Sequence, residues 1–495
     1  MTLEVDTIIS LLDKFSNVFA NLGEHDAGET EYIEHEIYQF MHSPKRESMM
    51  TGERYYVGNH DILRRKREMI GEDGKLEPVE NLPNNRVVNN QYAKLVDQKA
   101  NYLLGNPLSI QTDNEAYADL LNETLGPAFH RTLKNIGEDA LNCGIGWLLV
   151  HYDENGALQL KRIRPYELIP GWKDAEHTIL DFAIRIYPVI ECEGINEDVG
   201  WRVEVFDKTG ITYYEYDGAL KPCEPYHENY ITQITGDSEI GFNWDNIPLI
   251  AFKYNSKEIP LIKKCKVLQD GLNVMMSDFE NNMQEDARNT ILVLTNYDGE
   301  NLGEFRRNLA TFGAVKVRNT GETRGGVNTL QIEVNAANYN LVLALLKQAL
   351  IENAMGYDAK DDRLAGNPNQ MNIQSMYSDI DLDANGMEME FQAALSQLVW
   401  FLSAHFANTG QGDFEGEKVV FTFNRDVLIN ESELIANLRA SEGMISRETR
   451  VAKHPYVADP RAELERMREE EQEAMQQMLD YQELGVGGEP NADEE

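Results

Sequence analysis

The run Asp381-Leu382-Asp383-Ala384-Asn385-Gly386 places oxygen-bearing side chains at alternate positions ahead of a glycine, the opening half of a calcium-binding loop. Its twelfth position is Gln392 where a bidentate Glu is required, and its eighth is the charged Glu388 where an apolar residue belongs. The same residues also serve as the polar entry to a long helix. Asp379, Asp381 and Asp383 could be assembled into a metal-dependent nuclease site, but no spacing selects them over the other acids. Gly321 to Gly326 lacks the Lys-Ser/Thr pair that reaches phosphate and magnesium, and neither G-x-S-x-G nor H-E-x-x-H occurs. Cys143 closes an amphipathic stretch and reads as a small core residue rather than a nucleophile. With Cys192, Cys223 and Cys265 it forms no C-x-x-C pair, which implies a reducing compartment and no structural metal. No catalytic residue, metal site or cofactor is therefore expected.

The charged residues are more informative. The chain of 495 residues holds 45 Lys and Arg against 84 Asp and Glu, a formal net charge of −39. That balance excludes a protein that coats DNA with a dense basic surface. The run Arg64-Arg65-Lys66-Arg67 is chiefly a solvated face with some capacity to touch nucleic acid. Lys360 and Arg363 lie among Asp358, Asp361 and Asp362 in a polar loop. A hydrophobic fraction of 42% supports ordinary cores, and the length implies several structural units. Met1 to Ala20 lacks the pattern of a signal peptide, and no window has about 18 uncharged apolar residues, so a soluble protein is expected.

The elements that must carry these residues follow from periodicity. Ile8, Leu11, Leu12 and Phe15 mark an amphipathic opening in a helical segment 1–45, with an acidic loop near Glu24 to Glu31. Tyr92, Leu95, Val96, Ala100 and Leu103 predict a helix stopped by Gly105-Asn106-Pro107, and Phe129, Leu133, Ile136 and Ala140 predict another. From Gly146 the pattern is extended. A hairpin spans Trp147 to Ile163, and short strands follow at Phe182–Tyr187, Trp201–Phe206 and Ile211–Tyr216 within an α+β block 46–258.

Leu268, Leu272, Met275, Met276, Phe279, Met283 and Ala287 then predict an unusually long helix within 259–290. The insert 291–335 is charge-balanced, with five acids and five bases. Its expected elements are strands at Ile291–Thr295, Ala314–Arg318 and Thr329–Val334 and a short helix at Asn301–Leu309. A second helix, 336–355, bears Leu341, Leu345, Leu346 and Ala349 and can run back beside the first, making a stalk with a knob. A polar loop 356–378 precedes a further long helix within 379–410. The segment 411–462 holds a strand at Lys418–Phe423 and a helix that Asn430 can cap with Glu433. The remainder, 463–495, is an acidic helix and tail.

Several segments together resemble the portal proteins of tailed bacteriophages, in the branch of long-tailed phages and prophages of Gram-positive bacteria. They are YYVGNHDILRRKR (Tyr55 to Arg67), LPNNRVVNNQYAKLVDQKANYLLGNP (Leu82 to Pro107), the hairpin-rich block to about Pro260, the helix–insert–helix–loop–helix order of 261–407, and FNRDVLINESELIANL (Phe423 to Leu438). The resemblance implies a multi-domain α+β subunit assembling as a ring, commonly of twelve copies, at one capsid vertex. Through it double-stranded DNA is packaged by a separate terminase motor and later ejected. It further implies a wing (46–258), stem helices (259–290 and 336–355), a clip (291–335), a tunnel loop (356–378), a long connecting helix (379–410) and a crown (411–462).

On that reading Lys360, Arg363, Asn367, Asn369 and Gln370 face DNA, while Arg306, Arg307, Lys316 and Arg318 serve clip packing or docking. The implied partners are further copies of the chain, the large terminase subunit, head-completion or adaptor proteins, major capsid and scaffolding proteins, and the DNA itself, with no membrane. The implied location is the virion, with the host cytoplasm during assembly. Two other classes stay open at this point: an acidic soluble adaptor or scaffold without a DNA channel, and the metal-dependent nuclease.

Overall fold

A computed structural model describes residues 29–70, 74–78, 82–193, 196–216, 218–235, 238–286, 291–295, 326–330, 336–358, 370–425, 431–454, 463–472 and 474–475, with isolated positions between 301 and 318 and at 456 and 457. The expected opening helix around Ile8 to Phe15 lies outside these residues. The chain divides into two units, residues 1–356 with 380–426, and residues 357–379 with 427–495.

The first unit begins with α1 (Glu29–Met41) and α2 (Pro44–Tyr56). Glu29 to Glu31, expected in a loop, are already helical. Helix α2 was not legible from periodicity because its sequence, PKRESMMTGERYY, is mostly polar; Ser43 caps it and Pro44 opens it. A short hairpin, β1 (Glu68–Ile70) with β2 (Leu76–Pro78), leads to α3 (Gln91–Leu104), β3 (Ser109–Gln111), α4 (Glu115–Thr124) and α5 (Pro127–Cys143).

Helix α5 ends at Gly144, where φ is +88° and an added Cβ would stand 2.1 Å from the carbonyl oxygen of Glu258. Only glycine fits so tight a turn. The chain then enters β4 (Ile145–Tyr152) and β5 (Leu158–Ile163), the expected hairpin. Strands β6 (Leu168–Trp172), β7 (Leu180–Glu193), β8 (Asn196–Asp207), β9 (Gly210–Tyr216) and β10 (Leu220–Glu228) make an antiparallel sheet in the order β10-β9-β8-β7-β6. A second hairpin, β11 (Ile231–Thr235) with β12 (Ser238–Phe242), precedes β13 (Leu249–Lys253), which returns to pair with β4.

Three long helices follow. They are α6 (Ile262–Asp286), α7 (Ala336–Asn353) and α8 (Gln370–Asn408), the last about 58 Å long at 1.5 Å per residue. Between α6 and α7, β14 (Ile291–Thr295) pairs antiparallel with β15 (Gly326–Leu330), three residues earlier than the expected Thr329–Val334. Helix α8 begins at Gln370, so residues 370–378, expected in the polar loop, are helical. Strand β16 (Val420–Thr422) pairs with β3 across more than 300 residues of sequence.

The core is made where α3, α5, β4, β13 and α8 meet. Trp147, Tyr92, Phe252, Phe391 and Phe406 are among its fully buried side chains, and Phe252 meets Phe391 edge-on at 5.1 Å. In the second unit, α9 (Glu431–Ala440) and α10 (Arg447–Ala452) are short, and Ser446 caps α10. Residues 463–472 are helical, with Arg447 paired to Glu471.

Candidate functional site

Helices α6 and α7 form an antiparallel pair. Gly271 lies against Leu346, Phe279 meets the ring of Tyr339 at 5.0 Å, and the Asn282 amide donates to the Tyr339 hydroxyl at 2.8 Å. The β14–β15 hairpin lies between the two in sequence, so the stalk-and-insert order expected from the sequence is present.

The buried face of α6 differs from the apolar one that periodicity singled out. Gln269, Asn273, Ser277 and Asn281 are buried at four-residue intervals, while of the expected apolar residues Leu272 is buried, Leu268, Met275, Met276 and Phe279 are half-buried and Met283 is exposed. The reason is residues 83–90, which have no regular structure and whose backbone N–H groups need acceptors. The N–H groups of Asn85, Val87 and Asn89 donate to the side-chain oxygens of Asn281, Ser277 and Asn273 at 2.7, 2.9 and 3.0 Å. Two extended residues advance about 6.6 Å and four helical residues about 6.0 Å, so the strap and the helix stay in register while running in opposite directions.

Gln269 completes the series. It accepts from the N–H of Tyr92 at 3.0 Å and donates to the carbonyl of Asn89 at 2.7 Å. The ring of His60 stacks on Tyr55, places one nitrogen 3.0 Å from the Tyr55 carbonyl and takes a hydrogen bond from the Asn273 amide at 2.8 Å. Burial pushes its pKa down, so the neutral ring suits this role.

The basic run is absorbed into the same construction. Arg65 grips Asp278 of α6 at 2.8 Å, Arg67 donates to the Pro83 carbonyl at 2.8 Å, and Arg64 reaches Asp61 at 3.4 Å. Arg67 thus fastens the start of the strap and Arg65 ties the run to α6, while Arg64 stays largely exposed beside Asp61.

At the other end of α6, Lys99 and Asp383 form a buried pair at 2.6 Å. Asp383 also accepts from the Tyr254 hydroxyl at 2.8 Å and lies 3.6 Å from Lys264, while Lys99 donates to the Met355 carbonyl at 3.1 Å. Burial lowers the Lys99 pKa and Asp383 opposes that shift. The cluster thereby ties α3, α6, α8 and the end of α7 together.

The same contacts overturn the calcium reading. Asp381 to Gly386 lie inside α8 with no sharp turn. Asp381 accepts from Tyr102 at 2.5 Å and from Arg425 at 3.2 Å, and Asn385 accepts from Arg425 at 2.7 Å. The oxygens of the motif already face two cationic side chains, Lys99 and Arg425, which would repel a metal ion. Among the described residues no cluster of His, Cys, Asp and Glu has metal-binding geometry, and no helix is long and apolar enough to cross a membrane.

Of the residues singled out for DNA, Gln370 is the first residue of α8, and Lys360, Arg363, Asn367 and Asn369 lie outside the described residues. Of the insert bases, Arg307 and Arg318 are exposed, and Arg306 and Lys316 lie outside the described residues. Sequence reasoning missed the strap ladder and the Lys99–Asp383 cluster. The four-residue spacing of Gln269, Asn273, Ser277 and Asn281 was the available signal for the first.

The chain thus combines an α+β body, a long antiparallel helix pair with a hairpin between its members in sequence, and a further helix of 39 residues. The sequence pattern of the family described as "Phage portal protein, SPP1 Gp6-like" matches residues 37–477. The chain is 31% identical over 437 residues to the portal protein of Bacillus phage SPP1, covering 87% of this chain and 84% of that one. It is 26% identical over 427 residues to the portal protein of Clostridium phage phiCD119, covering 84% and 90%. A chain from the solved neck of a native gene transfer agent particle aligns with 74% of this chain and 89% of its own length, with a TM-score of 0.38 and 14% identity. The chain belongs to the SPP1 Gp6-like family of phage portal proteins. Portal proteins are structural components of the virion, and they form ring assemblies in phage particles.

Proposed function

We propose that copies of this chain close into a ring, commonly of twelve, around a channel through which double-stranded DNA is packaged by a separate terminase and later ejected. Residues 46–258 form the outward wing, α6 and α7 the stem, 291–335 the clip, 356–369 the tunnel loop, α8 a connecting helix from wing to crown, and 411–462 the crown. Family membership across residues 37–477 supports this. The structural observation that carries it is the stem itself. Val267, Leu341 and Leu345 are 83%, 61% and 55% exposed on helices long enough to line a conduit. Monomers rarely leave such rows uncovered, and in a ring the next copy covers them.

The charge balance fits a conduit. Twelve copies at −39 each carry −468 formal charges. DNA presents one phosphate charge per about 1.7 Å of axis, and charges within about 8 Å act on it at physiological salt. Acidic walls prevent adhesion. Lys360 and Arg363, with Asn367, Asn369 and Gln370, supply a few replaceable phosphate contacts. The clip bases Arg306, Arg307, Lys316 and Arg318 serve packing or docking of the terminase and of head-completion proteins in a segment whose net charge is zero. The test is packaging with Lys360→Ala and Arg363→Ala combined. Less DNA packaged per unit time into otherwise normal heads is expected, and unchanged packaging would remove the tunnel-loop contacts from the account.

A further inference from the structure

A cleft of about 380 Å³ opens on the α+β body between the start of β7 and the outer face of α8. Trp172, Ile179, Leu180, Ala394, Trp400 and Phe401 form its apolar part, with Lys253, Glu390 and Gln397 among the polar residues that also line it, a composition that can take apolar groups held by a few polar contacts. Ile179 is 54% and Trp400 38% exposed, so apolar surface faces solvent at its mouth. The cleft is built from rigid elements: Trp172 stacks on Trp147 at 5.8 Å and on His177 at 5.1 Å.

We infer that this cleft is the seat of the chain's own N-terminal segment, which inserts Ile8, Leu11, Leu12 and Phe15. Those four residues fall on one face at helical spacing and need an apolar partner. The route is short. Helix α1 starts at Glu29, and its Tyr32 meets Phe182 edge-on at 6.2 Å, two residues along β7 from the cleft residue Leu180. The thirteen residues between Phe15 and Glu29 reach at most about 45 Å, so no rearrangement of the body is needed. The inference does not depend on ring formation.

The test is disulfide cross-linking in the full-length chain, with Cys192 and Cys223 changed to Ser and with Phe15→Cys combined with Gln397→Cys at the cleft rim. Cys143 and Cys265 are buried and can stay. Mild oxidation is expected to give an intrachain cross-link in most molecules, at least tenfold above a control pairing Phe15→Cys with Glu123→Cys on α4. Adding Ile8→Asp and Leu12→Asp is expected to lower the yield several-fold. Three results would each overturn the inference: a yield no higher than the control, cross-links only between two chains, or a yield indifferent to the two aspartates.

Discussion

Single side chains in this subunit hold backbone in place rather than perform chemistry. Asn273 is the clearest case, since it accepts from the Asn89 N–H and donates to His60 while fully buried. Changing Asn273 to Ala deprives a buried nitrogen of His60 and the half-buried N–H of Asn89 of this partner. A loss of about 3 kcal/mol is expected in chemical denaturation, against less than 1 kcal/mol for an exposed control such as Asn155→Ala. Glu258 offers a second test. Burial, the largest influence, would raise its pKa, but the hydrogen bond from His177 and the charge of Lys45 outweigh it and hold the carboxyl at about 2. The folded pKa lies below the ordinary value of 4.5, so the stabilisation is complete above pH 4.5 and is lost as pH falls toward 2. It amounts to about 3 kcal/mol. The stability gap between the native chain and Glu258→Gln should therefore be widest above pH 4.5 and narrow steadily as the pH falls from 4.5 toward 2. A gap constant across that range would contradict this assignment.

At the scale of elements, helices α3, α5, α6 and α8 and the β4–β5 hairpin were legible because apolar spacing reports period directly. Which face of α6 is buried was not. Its apolar residues are satisfied only in part within one chain, whereas the polar stripe is buried by a strap that has no period to read. The acidic run at Asp381 shows a related limit of spacing. Spacing along the chain resembles a metal loop, but Lys99, Tyr102, Tyr254 and Arg425 arrive from distant sequence to claim its oxygens. The exposed leucines of α7 lead to a prediction about assembly. Leu341→Glu with Leu345→Glu should leave the fold intact, with unchanged circular dichroism, because both side chains are exposed in the single chain. The variant should sediment as monomers or small open oligomers, since like charges would then meet across each stem interface. Rings of normal size would show that these rows are not the contact.

For the whole molecule, the net charge of −39 first argues against nucleic acid, and within a ring it acquires a different meaning. A surface that grips DNA must be basic, whereas one that surrounds moving DNA must not hold it. Family membership and the exposed stem support that reading together, and neither composition nor periodicity reached it without the resemblance. The most direct test is the mass of the assembled oligomer by native mass spectrometry, combined with end-on electron micrographs of the same sample. The account predicts a closed ring of discrete subunit number with one central opening wide enough for a DNA duplex. Monomers at all concentrations, or a compact assembly without an opening, would contradict it.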